Sequence, residues 1–441
     1  MTLKSMALSI YVTASLICIA ITCYAIDNDY KRQVTEKLIM TLDISSRVES
    51  SLQISSDGKH VSYTSRSGKK QCIVVDGKEG KQYDGIGQSR QTFSPDSNRV
   101  AYVALEGDKR FAVIDGKEQK QYDGIGKSGV VFSPDSKLTT YSARTGNKWL
   151  AIIDGKEGKP YDGIMDSSPV FCPDSTHEAY AALIDKIFGG KKWFVVVDGK
   201  EGKQYDSIAA CGPVFSPDGK HLAYAVQIGI KWFMIVDEKE GKPYDEIKDN
   251  SYIFSPDSKH VAYVALVNKK YSVVVDGKEE KPFDAIGKGS LVFSPDSKHT
   301  AYIAGVGINY FTVIDGKEIG KKYERTGGGA LVFSPDSKYV VCSYRGDNKY
   351  FAVFDGKEGK HYDKILPDSF VFSPDSKHLA YAAQTDDKQF VVVDGMEGRQ
   401  YHSIITTGGG KIVFDSNDVL HYIAQTDKAH IYSIEDNINS K

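Results

Sequence analysis

Apolar and polar residues along this chain follow a pattern that recurs about every 39 residues. In the copy that begins at Ile253, short apolar runs alternate with polar stretches rich in Gly, Pro, Asp and Ser. Runs that are apolar at successive positions predict strands buried on both faces. Each copy predicts four strands, A to D. Strand A enters Phe254, and strands B, C and D cover His260 to Ala265, Tyr271 to Asp276 and Lys281 to Ile286.

Two tetrapeptides mark the repeat. Phe-Ser-Pro-Asp begins at Phe93, Phe132, Phe215, Phe254, Phe293, Phe333 and Phe372, with a Cys variant at Phe171. Asp-Gly-Lys-Glu begins at Asp76, Asp115, Asp154, Asp198, Asp276, Asp315 and Asp355. Pro presets the backbone for a tight turn, and Asp, Ser and Gly suit the positions around it, so both tetrapeptides predict turns. The chain contains nine full copies and a partial tenth.

The repeat predicts an all-β protein, because four short strands per copy with no linker between copies are typical of a β-propeller. The C-terminal stretch 411–435 supplies only strands A, B and C. The lead-in contains Leu38 to Ile44, which resembles a strand D. Together they would complete one composite blade and leave no open sheet edge. We therefore predict one ring of about ten four-stranded blades, with two smaller propellers as the alternative.

The Phe-Ser-Pro-Asp-Ser/Gly-Lys turn followed by an Ala-Tyr strand, as in Phe215 to Tyr224 and Phe372 to Tyr381, resembles the WD40-like, TolB-type propeller repeats of bacterial envelope proteins. The resemblance covers nearly everything after residue 50. It implies the propeller fold, and either the binding of proteins in the periplasm or at the cell surface or the support of a separate catalytic domain. The sequence departs from both better-known cases, since we expect neither the extra N-terminal domain of TolB nor a hydrolase domain after the repeats.

Residues 1–25 read as a secretory signal, with Lys4 before the apolar core Met6 to Thr22 and a small-x-Ala site at Cys23 to Ala25. An uncleaved membrane anchor is the alternative. We expect a lead-in over 26–50, repeats over 51–441, and no membrane insertion after cleavage. The predicted location of the mature protein is therefore the periplasm or the outside of the cell.

Composition narrows the classes of partner. The formal net charge of the 441 residues is −2, and basic and acidic residues interleave, so there is no basic footprint for nucleic acid. The four cysteines beyond the signal occupy four different repeat positions, which predicts free buried thiols rather than disulfides. They are Cys72, Cys172, Cys211 and Cys342. No Cys-x-x-Cys pair exists for zinc or haem.

The candidate chemical groups recur with the repeat. Six histidines share one slot after the A–B turn, namely His60, His177, His221, His260, His299 and His378. An aspartate recurs in Tyr-Asp-x-Ile, at Asp84, Asp123, Asp162, Asp206, Asp245 and Asp363, and after Phe in place of Tyr at Asp284. Catalysis needs an asymmetric set of acid, base or nucleophile. We therefore predict structural roles, no catalytic residue, no metal site and no cofactor.

Differences between the copies give the functional signal. The A–B and C–D turns are nearly constant, whereas the B–C and D–A loops vary, as at 67–69, 305–307 and 327–329. Variable loops on a rigid scaffold are where binding usually occurs. One position, five residues before the Asp that ends strand C, is aromatic in six consecutive copies. We call this set the aromatic arc: Trp149, Trp193, Trp232, Tyr271, Tyr310 and Tyr350.

The aromatic arc has two interpretations. It could be a stacking or hot-spot surface for a polymer or protein partner, or it could pack between blades. The sequence favours a binding or assembly module that holds a protein or polysaccharide of the cell envelope. One alternative is a glycan-active lyase or hydrolase on a propeller scaffold, with unique acidic or His residues at the mouth of the central channel. The other is a structural envelope protein that self-associates through its constant turns.

Overall fold

Ten antiparallel sheets follow one another along the chain as the blades of a β-propeller in the computed structural model. The structure describes residues 31–48, 51–89, 91–167, 169–186, 190–328, 331–406 and 410–439. The predicted secretory signal lies outside these ranges. In each blade, strand A pairs with B, B with C, and C with D. The prediction of an all-β ring of about ten four-stranded blades is confirmed.

The inner strand A consists of two short segments, A1 and A2, that pair with opposite ends of strand B. In blades 2 to 10, A1 covers Gly85–Ile86, Gly124–Ile125, Gly163–Ile164, Ser207–Ile208, Glu246–Ile247, Ala285–Ile286, Arg325–Thr326, Lys364–Ile365 and Ser403–Ile405. In blades 1 to 10, A2 covers Gln53–Ile54, Thr92–Phe93, Val131–Phe132, Val170–Phe171, Val214–Phe215, Ile253–Phe254, Val292–Phe293, Val332–Phe333, Val371–Phe372 and Val413–Phe414. In blade 1, a single bridge from Arg47 to Ser65 stands in the place of A1.

Strands B and C form the long central hairpin of each blade, and D is its outer edge. Strand B covers Val61–Ser67, Val100–Glu106, Thr139–Thr145, Glu178–Lys186, Leu222–Ile228, Val261–Val267, Thr300–Val306, Val340–Gly346, Leu379–Thr385 and Val419–Gln425. Strand C covers Lys70–Val75, Lys109–Ile114, Lys148–Ile153, Gly190–Val197, Lys231–Val236, Lys270–Val275, Asn309–Ile314, Lys349–Phe354, Lys388–Val393 and His430–Asn439. Strand D covers Lys78–Glu79, Lys117–Glu118, Lys156–Glu157, Lys200–Glu201, Lys239–Tyr244, Lys278–Glu279, Lys317–Tyr323, Lys357–Glu358, Met396–Glu397 and, closing blade 10, Lys31–Thr41.

The two tetrapeptides close the turns predicted for them. In blade 6 the Ser255 hydroxyl donates to the Asp257 carboxylate at 2.6 Å, and Ser258 takes the left-handed conformation with φ +64°. Asp276 and Gly277 have φ values of +48° and +74° between strands C and D. Two successive left-handed residues define the type I′ hairpin turn, which Asp-Gly favours. The constancy of these turns along the sequence therefore reflects backbone geometry.

The stretch Lys281 to Ile286, predicted as one strand D, is divided between two blades. Phe283 bridges to strand C of its own blade, whereas Ala285–Ile286 is segment A1 of the next blade and pairs with strand B there. The chain crosses because Ile286 buries its side chain in the hydrophobic core between blades 6 and 7. Each repeat thus donates its last residues to the following blade.

The core of the molecule is a circle of hydrophobic clusters, each shared by two consecutive blades. Between blades 6 and 7, Phe283 meets Tyr302 and Phe311 edge-on, with ring centroids 6.2 and 5.6 Å apart. Such aromatic pairs are stabilising beyond the area they bury. The last cluster joins Ile431 of blade 10 to Val74 of blade 1, so the ring is closed.

The closing strand differs in position from the prediction. It was expected over Leu38 to Ile44, but Lys31–Thr41 pairs along its length with His430–Asn439, and Ile44 beyond it is 55% exposed. The reason is a buried ion pair. The Arg32 guanidinium contacts Asp436 and donates to the backbone oxygen of Val391 in blade 9 at 3.0 Å. These contacts extend the strand through a polar stretch that hydrophobic periodicity does not mark.

The variable stretches that the sequence placed in D–A loops lie elsewhere. They interrupt strand A between A1 and A2, at the innermost edge of each blade. Loops of successive blades contact one another, as between Lys127 and Asp166 at 3.1 Å and between the Ala210 N–H and Asp249 at 3.0 Å. We call them the inner loops. They surround the central channel instead of covering one face of the ring.

The four cysteines of the repeats are free thiols, as the sequence predicted. Cys72, Cys172 and Cys342 are buried, and burial raises the pKa of the Cys342 thiol to about 11. Cys211 is only half-buried because it lies on an inner loop, where the Asn250 N–H donates to its Sγ at 3.3 Å. A buried thiol with a raised pKa is chemically inert.

Candidate binding face

The ring has two faces of different construction. The turn face holds the A–B and C–D turns, and the hairpin face holds the B–C tips and the crossing from strand D to the next A1. On the hairpin face, Asp123 accepts hydrogen bonds from Lys109 of its own blade and from the Gly146 N–H at the next blade's hairpin tip, both at 2.7 Å. These donors hold the pKa of the Asp123 carboxyl below its usual range.

The same clamp recurs around the ring. Each aspartate below has a lowered pKa, and in each the causes include the paired lysine and a backbone N–H of the neighbouring tip: Asp84, Asp123, Asp162, Asp206, Asp245, Asp284 and Asp363. The clamp gives this aspartate a structural role between blades. It also holds the hairpin tips in fixed positions, so that the residues they carry are presented on a rigid frame.

The recurring histidines lie on the turn face, and each pairs with the aspartate that ends strand C. The pairs are His60 with Asp76, His177 with Asp198, His221 with Asp237, His260 with Asp276, His299 with Asp315, and His378 with Asp394, at Nδ1 to Oδ2 distances of 2.6 to 2.7 Å. The second oxygen of Asp76 accepts the N–H of Val61 at 2.9 Å. These histidines therefore support the C–D turn. Within the described ranges, no group of three or more His, Cys, Asp or Glu side chains could hold a metal ion.

All six residues of the aromatic arc are half-buried. Each packs at the edge of the hydrophobic core that its own blade shares with the next one. Lys248 lies 4.9 Å above the ring of Tyr271, and Arg345 lies 5.3 Å above the ring of Tyr350. Packing between blades accounts for the buried part of each side chain. The exposed part of each ring is the surface on which the binding hypothesis depends.

Three blades show that the fold accepts a polar residue at the arc position, which is Arg110 in blade 2. Gln71 in blade 1 and Gln389 in blade 9 occupy it, and their side-chain oxygens accept the N–H groups of Ile86 at 2.8 Å and Ile404 at 2.7 Å. The acceptor therefore secures the crossing strand that enters the next blade. The repeat therefore does not require an aromatic ring at this position, although blades 3 to 8 all have one.

The hairpin tips carry a feature that the sequence analysis missed. Five of the tips have a Gly-x turn, and x is Lys69, Asp108 and Asn147 in the first three blades. In blades 5 and 7, x is Ile230, which is 84% exposed, and Ile308, which is 71% exposed. The glycine takes the left-handed conformation in all these turns. The turn geometry therefore does not require an apolar residue after the glycine. A comparison of this one position between copies would have shown that Ile230 and Ile308 are exceptions.

A cavity lies between the inner loops of blades 6 and 7. It is lined by Lys248, Asp249, Gly287, Lys288 and Leu291, among others, and has a volume of about 20 Å³. That is room for about one water molecule. Pockets for small-molecule substrates measure several hundred Å³. This cavity does not therefore serve as a substrate site.

No protein-family model matches the chain, and no curated protein matches it. Solved structures do resemble it. One is a eukaryotic initiation factor, with 15% identity and a TM-score of 0.48 over 74% of this chain and 90% of that one. Another is the β-propeller domain of the trilobed protease from Pyrococcus furiosus, with 16% identity and a TM-score of 0.31 over 65% and 98%. TolB from Acinetobacter baumannii has 13% identity and a TM-score of 0.28 over 67% and 79%. In the described part of the chain, no helix is long and apolar enough to cross a membrane.

Proposed function

We propose that this propeller is an exported binding or assembly module, not an enzyme, and that its hairpin face holds a protein or polysaccharide of the cell envelope. One observation carries the proposal: six consecutive blades place a half-buried aromatic ring at the same position, beneath rigidly clamped hairpin tips. Aromatic side chains supply large contact areas at low entropic cost, and they dominate binding hot spots.

The contrast between the two faces supports this proposal. On the turn face, the repeated Ser, His and Asp residues are engaged in turns and in contacts between blades, such as the 2.9 Å bond from the Asp257 N–H to Ser297 of the next blade. On the hairpin face, the clamps repeat but the tips differ. Residues that repeat serve the scaffold, and residues that vary on a rigid scaffold are available for a partner.

A non-enzymatic role is supported by the same assignments. The recurrent histidines and aspartates are the most numerous candidates for acid or base chemistry, and they are occupied in pairs such as His260 with Asp276 and Lys109 with Asp123. They recur by symmetry around the ring, whereas catalysis needs an acid, a base or a nucleophile gathered at one place.

The test of the binding face uses the protein's own tolerated residue. Residues 26–441 contain every strand of the ring, and in them Trp149, Trp193 and Trp232 are replaced by Gln, the residue found at the arc position in blades 1 and 9. The unchanged protein should capture a partner from envelope extract, and the triple variant should lose it while its thermal unfolding stays cooperative. A matched control replaces three exposed turn-face lysines, Lys117, Lys156 and Lys200, by Gln.

Capture that is equal for the triple Trp variant and the unchanged protein would overturn the role of the arc. If the triple variant unfolds, the single substitution Trp232→Gln keeps the question open to measurement. Treatment of the extract with protease or with glycosidases before capture distinguishes a protein from a polysaccharide partner. Loss of capture by the lysine control as well would place binding on the turn face instead.

Export has a separate test. Expression of the full chain in a Gram-negative host, followed by mass measurement of the product, should give a polypeptide that begins at Ile26 and is released with the periplasmic fraction. The retention of residues 1–25 with the protein in the membrane fraction would favour the anchor alternative. An unprocessed protein in the cytoplasmic fraction would contradict export.

A further inference from the structure

Blades 5 and 7 expose aliphatic side chains at the outermost points of the hairpin face. Ile228 and Ile230 are 37% and 84% exposed, and Val306 and Ile308 are 43% and 71% exposed. We call these four residues the aliphatic tips. The hairpin of blade 6, between them, carries Val267 before its turn. Apolar side chains exposed together on one surface are a feature of interaction sites on soluble proteins.

The aliphatic tips are fixed in place. Asp206 accepts the N–H of Gly229 at 2.7 Å, and Asp284 accepts the N–H of Gly307 at 2.8 Å. Each clamp comes from the preceding blade, so the tips are held by the ring itself. A surface that meets them therefore meets preordered side chains, and the entropic cost of ordering them on contact is small.

A second layer lies behind the tips. Trp232 follows Ile230 by two residues on strand C, and Tyr310 follows Ile308 by two residues. Two residues of extended chain span about 7 Å, and both aromatic rings are half-buried. At a bilayer interface, aliphatic groups reach the boundary of the acyl chains, whereas the amphipathic rings of Trp and Tyr lie at the level of the headgroups. The tips and the rings behind them have the same order.

The charges around the tips complement an anionic surface. Lys231 and Lys270 neutralise the clamp residues Asp245 and Asp284, at 2.6 and 2.9 Å. Lys269, at the tip of blade 6, is exposed and forms no ion pair among the described residues. Each exposed lysine near an anionic bilayer adds electrostatic attraction that salt screens.

The carboxylates near the tips of blades 5 to 7 have partners within the protein. Asp249 accepts the Ala210 N–H at 3.0 Å, and Glu246 lies beside Lys248. The tips of blades 8 and 9 are different, since they carry Asp347, Asp386 and Asp387. The same tips also carry Arg345, Lys349 and Lys388, so their charges offset one another, whereas the tips of blades 5 to 7 carry Lys231, Lys269 and Lys270 and no acidic residue. An anionic surface is therefore attracted more strongly by blades 5 to 7.

The ends of the described chain lie on the opposite face. Strand C of blade 10 ends, and its strand D begins, on the turn face, where Lys31 pairs with Asn439. A contact made by the tips therefore leaves both ends free.

We propose that the hairpin tips of blades 5 to 7 dock the propeller on a lipid bilayer that carries anionic headgroups. Ile230 and Ile308 enter the boundary between headgroups and acyl chains, Trp232 and Tyr310 lie among the headgroups, and Lys269 contacts anionic phosphates. A groove in a partner protein is less well matched, because protein hot spots are aromatic residues and arginines in central pockets, whereas these residues protrude and are aliphatic.

The proposal is tested by flotation of residues 26–441 with vesicles of phosphatidylcholine alone and with one third phosphatidylglycerol. The protein should float with the anionic vesicles, and salt should weaken the binding. The variant I230D/I308D should partition at least tenfold less, because a carboxylate replaces a buried aliphatic group at each tip. The control N147D places the same charge at the same turn position of blade 3 and should bind as the unchanged protein does.

A second readout comes from the tryptophans, since all three lie in the aromatic arc. Trp232 fluorescence, measured after Trp149→Gln and Trp193→Gln, should shift to shorter wavelength with anionic vesicles. Failure of the unchanged protein to float, or equal flotation of I230D/I308D, overturns the proposal. If I230D/I308D instead loses the partner captured from envelope extract, the tips belong to a protein contact. Loss of flotation with partner capture intact separates this proposal from the proposed function.

Discussion

The Asp123 carboxylate in blade 2 accepts the backbone N–H of Gly146 at the hairpin tip of blade 3, at 2.7 Å. Lys109 donates to the same carboxylate, so one side chain joins an ion pair within its blade to a hydrogen bond across the interface. Equivalent aspartates in other blades make the same pair of contacts. The sign of their pKa shift predicts how the ring responds to acid.

Acid should weaken the clamps between blades. The pKa of Asp123 lies below its usual value near 3.8, so the unfolded chain binds more protons than the folded one between the two values. The stability that the carboxylate contributes is present above about 3.8 and is lost as the pH falls through the folded-state pKa. Asp123→Asn should lower the melting temperature at pH 7, and the difference from the unchanged protein should shrink as the pH approaches 3. Asp108→Asn, at an exposed hairpin tip, is the matched control and should show no such convergence.

The closing strand should depend on Arg32. The side chains of Arg32 and Asp436 are 9% and 0% exposed, so removing one leaves the other buried without a partner. Arg32→Ala should therefore cost about 3–5 kcal/mol of unfolding free energy in a denaturant titration. The double variant R32M/D436L should recover a large part of that loss. Arg399→Ala removes the more exposed ion pair with Glu36 on the same strand and should cost no more than about 1 kcal/mol. Equal losses of unfolding free energy for Arg32→Ala and Arg399→Ala would contradict the conclusion that the buried pair of Arg32 and Asp436 holds the closing strand in place.

Glu280 should destabilise the protein at neutral pH. It stands where most copies have glycine, and burial raises the pKa of its carboxyl, which accepts the Tyr302 hydroxyl hydrogen at 2.8 Å. A folded-state pKa above the usual value near 4.5 means that the folded protein holds the proton more tightly. The stability that this proton confers is present below about 4.5 and is lost as the pH rises through the folded-state pKa. Glu280→Gln keeps an acceptor for Tyr302 without the charge, so its advantage in melting temperature should grow from pH 4 to pH 7.

Glu279 provides the control for that experiment, because it is the exposed sequence neighbour of Glu280 at the end of strand D. Glu279→Gln should leave the pH dependence of melting unchanged. A parallel pH dependence for the unchanged protein and Glu280→Gln would show that Glu280 is neutralised in some other way. The site also explains a departure from the repeat: Phe283 replaces the usual tyrosine, and Glu280 supplies the hydroxyl partner that Tyr302 then lacks.

Much of the fold could be predicted from the sequence, because the same local rules act in every copy. Ser255, Asp257, Asp276 and Gly277 form turns whose chemistry depends on neighbouring residues only, so their recurrence predicts the number of blades. The division of strand D could not be predicted in this way. Phe283 and Ile286 are both apolar and belong to one apparent strand, and only the neighbouring blade decides that they pair on different sheets.

The candidate site was predicted less completely. The aromatic arc was visible as a shared position, but its half-buried state depends on the core of the next blade, which sequence spacing does not describe. The strand that contains Arg32 was placed too late because its partner, Asp436, is about 400 residues away in the sequence. Ile230 and Ile308 were overlooked because each is a single apolar residue in a loop, and only its exposure makes it notable.

The crossing of each strand D into the next blade has a genetic consequence. Since the blade and the repeat are out of phase, a duplicated or deleted 39-residue segment does not need to begin at a blade boundary to add or remove one whole blade. Wherever the ends of the segment fall, the flanking copies supply the missing half of the crossing, and the Arg32 strand still closes the last sheet. Unequal recombination between copies could therefore change the circumference of the ring by whole blades, and the number of hairpin tips offered to a partner would change with it.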